Sequence, residues 1–158
     1  TADTVSQRMP QLLIVHHTAS PATHELLDQV RSGARSPDFE GVEVVVKAAL
    51  EATPSDVLVA DGYLLGSPAN LGYMSGALKH FFDTIYYPTR AAIAGLRFGL
   101  YVHGNEDTVG ATRSVHTIAT GLGWSSAHQD VVVRGVPTRS DLEDCESLGA
   151  TLAAGLLP

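Results

Sequence analysis

Apolar positions along this chain follow two rhythms that alternate from end to end. Short continuous runs, such as residues 11–15 and 42–46, suit strands buried on both faces. Strands are predicted over 11–17, 42–47, 62–66 and 96–103, and a fifth within 124–133, its surest part 131–133. Between them, apolar residues recur at helical spacing. Leu26, Leu27 and Val30 mark a helix over 22–34. Leu78, Phe81, Phe82 and Ile85 mark one over 74–85, and Val115, Ile118, Ala119 and Leu122 one over 109–122. Leu142, Cys145, Leu148, Leu152 and Leu156 mark the last, over 138–157. A helical turn at 53–60 has Pro54 in first position behind a Thr53 cap. Residues 86–95 fall off register around Pro88 and read as an irregular connector, and 1–10 as a polar, frayed end.

Strands alternating with helices imply a parallel sheet covered on both faces. Five such units fit a single α/β domain over residues 1–158, with strand order 2-1-3-4-5. In that order the ligand lies at the switch between the first and third strands.

Three loops reach that edge. The first, residues 18–23, carries three hydroxyls, Thr18, Ser20 and Thr23, ahead of a helix start. Free N–H groups and the helix dipole suit phosphate there, although an N-cap followed by an ordinary turn uses the same residues. The second, residues 67–73, reads SPANLGY: Ser67, Pro68, Ala69, Asn70, Leu71, Gly72 and Tyr73. Pro68 cannot donate to a ladder, and Gly66 and Gly72 permit close backbone approach. The third begins His103, Gly104, Asn105. His103 reads either as a ligand contact or as a core histidine satisfied by backbone.

The run from Gly66 through Ser67, Pro68, Gly72, Met74, Leu78, Lys79 and Phe81 to Asp83 resembles the second flavin loop and following helix of flavodoxin-like proteins. It is nearer to the NAD(P)H-dependent FMN reductase and quinone reductase branch than to the small electron carriers. Thr18, Ser20 and Thr23 match the family's phosphate loop, while Pro21, beside Ala22, stands where glycine is usual and removes an N–H. The resemblance implies non-covalent FMN, held at its phosphate by residues 18 and 20–23, along its ring by 67–73, and at the pyrimidine end by 103–105. It implies NADH or NADPH as reductant, a quinone or other small molecule as acceptor, and chemistry at the flavin N5 without a catalytic side chain. Two competing readings are a flavodoxin-type electron carrier and a flavin-free interaction domain of the same fold, which Pro21 keeps open. The carrier pattern sandwiches the ring between aromatics, but the third loop has none and the second only Tyr73.

Composition narrows the classes. A formal net charge of −7 leaves no basic stripe for nucleic acid. The apolar runs are strand-sized, so no membrane span is expected, and no secretory pattern opens the chain. One cysteine, Cys145, excludes an internal disulfide and fits a reducing, cytoplasmic setting. His16 and His17 fall on opposite faces of a strand with no accompanying metal motif. Tyr86 and Tyr87 read as packing for the connector or as part of a homodimer interface.

Overall fold

The computed structural model describes residues 8–158. Strands β1 (Gln11–His16), β2 (Glu43–Ala48), β3 (Gly62–Asn70), β5 (Arg97–Gly104), β6 (Ser125–Ser126) and β7 (Val131–Arg134) pair in parallel. Strand β4 (Tyr73–Met74) folds back antiparallel on β3. Helices α1 (Pro21–Ala34), α2 (Pro54–Val59), α3 (Gly76–Ile93), α4 (Val109–Gly121) and α5 (Arg139–Ala154) connect them. The sheet order is β2-β1-β3-β5-β6, and β7 also lies against β5. The expected order thus holds, with the fifth strand broken into β6 and β7. Asp130, in the gap, meets His116 of α4 at 2.7 Å and pins the break to that helix.

Alternation along each strand sorts the core into two halves. Leu12, Ile14, Leu64 and Tyr101 pack with Leu26, Val30, Cys145 and Leu148 of α1 and α5. Leu13, Val15, Tyr63 and Phe98 pack on the other side with Phe81, Phe82, Ile85 and Trp124. Tyr63 stacks on Trp124 at 4.2 Å between centroids and donates its hydroxyl to Val57 O at 2.6 Å. The α1–α5 crossing is tight enough that a Cβ on Gly33 would overlap Glu146 O, and one on Gly149 would overlap Val30 O.

Three expectations need correction. β3 does not stop at Gly66 but continues to Asn70. Pro68 is tolerated because Gly66 O accepts from His17 N–H toward the β1 edge. Two residues on, Pro68 faces that same edge, where β1 has already ended and no donor is needed. The connector at 86–95 is instead the continuation of α3, which runs through Pro88 to Ile93. Ile85, Thr89 and Ile93 carry one buried face across the proline. Pro88 itself is exposed, so solvent can serve the carbonyl it strands. Finally, of the stretch expected to fray, residues 8–10 are tied down. Arg8 donates to Val59 O at 2.6 Å, and Pro10 O accepts from Glu43 N–H at 2.9 Å. The remainder, residues 1–7, lies outside the described residues. Among the described residues no helix is long and apolar enough to cross a membrane.

Candidate functional site

The carboxyl ends of β1, β3 and β5 bring the three loops together. β3 pairs with β1 only as far as Gly66, yet with β5 as far as Pro68 opposite His103. That overhang leaves the β1 side of Ser67 and Pro68 without a strand partner.

The first loop is closed on itself. Thr23 is fully buried, and its hydroxyl accepts from Ala19 N–H at 3.1 Å and Ser20 N–H at 2.9 Å while donating to Ser20 O at 3.0 Å. Ser20 Oγ accepts in turn from Thr23 N–H, completing a capping box at the head of α1. His24 N–H is spent on Ser20 O. Pro21 has no N–H to give, which leaves the Ala22 amide and the Ser20 hydroxyl as first-turn donors. Thr18 Oγ1 lies 2.8 Å from His16 Nδ1. Burial, assisted by the Arg31 and His17 charges and opposed by Glu51, holds the His16 imidazole below its usual pKa, so it is neutral at pH 7.

The second loop is an extension of β3 rather than an irregular segment. Ala69 pairs with Met74 and Asn70 with Tyr73, so Leu71 and Gly72 form a two-residue hairpin turn. Both have positive φ, 52° and 75°, the pattern of a type I′ turn. Leucine at such a position is unfavourable, and its side chain is wholly exposed at the tip. The base of the hairpin is anchored from below. Ser67, fully buried, donates to Pro68 O at 2.7 Å and accepts from Ser75 N–H at 3.0 Å. Met74 N–H donates to Ser114 Oγ on α4. Gly72 passes so close to Gly110 that a Cβ on the latter would overlap Gly72 O.

The third loop opens at Gly104, where an added Cβ would stand 3.1 Å from the Ala69 Cβ. His103 is buried and its Nε2 donates to Gly135 O at 2.8 Å, while Gly135 N–H donates to Gly104 O at 3.1 Å. Because a carbonyl can only accept, the proton sits on Nε2. His103 thereby ties the third loop to the turn between β7 and α5.

Two cavities run across these loops. One, about 330 Å³, lies between Ser20, Pro21, Ala22 and Glu25 of α1, His103 and Asn105, and Gly135, Val136 and Pro137. The other, about 390 Å³, lies between Ala69, Leu71 and Gly72 of the hairpin and Asn105, Glu106 and Asp107. Asn105 lines both, so together they form one trough from the head of α1 to the hairpin. Of the residues expected from sequence, Ser20, Pro21, Ala22, Ala69, Leu71, Gly72, His103 and Asn105 line it. Thr18, Thr23, Ser67, Pro68, Asn70, Tyr73 and Gly104 do not; Thr23 and Ser67 support the loops from beneath, and Tyr73 faces a cavity on the α4 side. Sequence reasoning missed Glu25, Glu106, Asp107 and the Gly135–Val136–Pro137 turn. The turn carried its own signal, Gly135 and Pro137 two residues apart just after a buried strand run.

No family model matches the chain. A curated relative, a flavodoxin of Aquifex aeolicus, is 33% identical over 164 residues, covering 92% of this chain and 86% of that one. A second, an NAD(P)H dehydrogenase (quinone) of Acidithiobacillus ferrooxidans, is 26% identical over 82% of this chain and 72% of its own length. Among solved structures, a WrbA-like flavodoxin protein of Agrobacterium tumefaciens superposes with a TM-score of 0.75 at 19% identity, covering 93% of this chain and 97% of that chain.

Proposed function

The chain belongs to the flavodoxin family, and from that premise we propose that it is an FMN-binding oxidoreductase, one that takes two electrons from NADH or NADPH and passes them to a quinone or another small acceptor. The trough suits such a cofactor in shape. It has a helix head at one end, the hairpin and the third loop at the other, and Asn105 bordering both parts. The Ser20 hydroxyl, the Ala22 amide and the positive end of α1 would hold the phosphate. Asn105 would meet the middle of the ligand, and Ala69, Leu71 and Gly72 would flank its ring. When bound, FMN supplies hydride exchange at N5. The chain's own part is to orient the ring, exclude water from one face and leave the other accessible.

The observation that carries the enzymatic reading is the lining of the cavity beside the hairpin. None of its six residues is aromatic. A ring there would keep an open face on which nicotinamide and then acceptor can lie in turn. The carrier reading is favoured by the 33% identical relative, which is named flavodoxin. A flavin-free domain is favoured by the spent donors of the first loop.

Three measurements separate these. FMN fluorescence should be quenched stoichiometrically on titration; no quenching at tens of micromolar removes both flavin readings. The loaded protein should oxidise NADH or NADPH in the presence of a quinone. Reductive titration should pass directly from the oxidised to the two-electron-reduced spectrum. A long-lived one-electron state with no NAD(P)H oxidation would assign the protein to electron carriage.

A further inference from the structure

Apart from the trough, the amino-terminal half of α4 and the edge strand β7 border an open cleft of about 480 Å³. Its floor is apolar, made by Val109, Val132 and the Thr108 and Thr112 side chains, and Arg113, Arg134 and His116 stand around it. In a chain of net charge −7 this is a local concentration of positive charge. Among the described residues neither arginine has a carboxylate within ion-pair distance. Arg134 is aimed by a 3.4 Å hydrogen bond to Thr108 Oγ1, at the end of the third loop. The nearby carboxylates are otherwise engaged: Asp130 with His116, and Asp107 with Val109 N–H at 2.9 Å. Arg113 also borders a cavity of about 350 Å³ that contains Gly72 and Tyr73, and Gly72 belongs in turn to the trough. Gly72 and Arg113 thus place the hairpin end of the trough and the arginine cleft on either side of one intervening cavity.

We infer that this cleft binds the adenosine–pyrophosphate half of a nicotinamide dinucleotide whose nicotinamide enters the trough. The inference rests on the reductase reading above. A planar apolar base suits a floor of valines, and guanidinium forks suit phosphate oxygens. An acidic peptide would match the charge, but it would not need an apolar floor of small-molecule size between the two arginines.

Calorimetric titration of the FMN-loaded protein with ADP-ribose tests it. Saturable binding is expected, with the dissociation constant rising about tenfold in Arg113→Ala and in Arg134→Ala, and further in the double variant. Val109→Glu, at an exposed floor position, should also abolish it without moving either arginine. FMN affinity should be unchanged in all four. The cleft assignment is overturned if wild type shows no saturation at millimolar ADP-ribose, or if the double variant binds as wild type does. It is overturned alone, with the reductase reading intact, if the protein oxidises NAD(P)H and the arginine variants keep its KM. Arginine-dependent ADP-ribose binding without any NAD(P)H oxidation would support the cleft and remove the reductase.

Discussion

The first and second loops stand side by side at the same edge of the sheet, yet they are held in opposite ways. The first is fixed by its own near neighbours: His16 to Thr18, and Ala19 and Ser20 to Thr23. The second is fixed from a distance, by Ser75, by Ser114 forty positions away and by the backbone of α4 at Gly110. A self-contained loop keeps its shape whatever happens elsewhere, but spends its donors in doing so. A loop braced by remote elements keeps its tip free, at the cost of depending on how α3 and α4 are packed.

The largest break in this contrast should come from Gly110→Ala. The added Cβ collides with Gly72 O, so the hairpin or α4 must move, at a cost of about 2–4 kcal/mol. Urea denaturation reads the cost; wild-type stability would mean that the hairpin rides free of α4. Next comes Ser67→Ala, which strands Ser75 N–H in a buried setting and should cost about 2 kcal/mol. On the first loop, Thr23→Ala should cost about 1–2 kcal/mol through the lost capping box, with Thr23→Ser recovering most of it. Because only the phosphate would meet the first loop, FMN should weaken in Thr23→Ala while riboflavin stays near wild type; equal weakening of both would take the phosphate away from the head of α1.

The smallest effect at neutral pH lies where β3 departs toward the second loop. Gly66 has no side chain because the Tyr101 ring fills its place, and the Tyr101 hydroxyl is buried without a partner. Tyr101→Phe should therefore stabilise by about 1 kcal/mol. Burial first, then the charges of Cys145 and Asp28, raise the Tyr101 pKa well above 10.0. Burial and Asp61 do the same for Tyr63. The folded state thus favours the neutral phenols. Their contribution is complete below pH 10 and is lost as pH rises beyond it, by about 1.4 kcal/mol per pH unit for Tyr101. Thermal melts from pH 9 upward should show a steeper decline in wild type than in Tyr101→Phe; equal slopes would place that hydroxyl in contact with water.

The same distinction between near and remote decides what could be read from sequence. Layer order and the faces of α1 and α4 were legible because apolar spacing is local, and the cap of α1 because Ser20 and Thr23 are three residues apart. The length of β3 was not, since whether Pro68 breaks a strand depends on where a different strand, β1, ends. Pro88 looked like a helix stop because the burial of Thr89 and Ile93 is set by the rest of the core. Within the site, the sequence points to the three loops but not to Glu106 and Asp107, nor to which loop residues line the trough and which support it from beneath. That sorting depends on partners such as Ser75 and Gly135. Sequence spacing left His103 with two roles, and the distant Gly135 carbonyl provides its backbone partner.

The glycine-on-backbone crossing of α1 and α5 has a consequence for how the protein is made. The two helices lie at opposite ends of the fold's sequence, so during translation Leu26, Leu27 and Val30 wait on a nascent chain without the helix that covers them. At ordinary elongation rates that wait is on the order of ten seconds. Until α5 emerges, α1 has no fixed depth against the sheet, and the first loop has no fixed height above β1. Final seating of the head of α1 is therefore a post-translational event, and the apolar face of α1 stays uncovered on that side until synthesis is nearly complete.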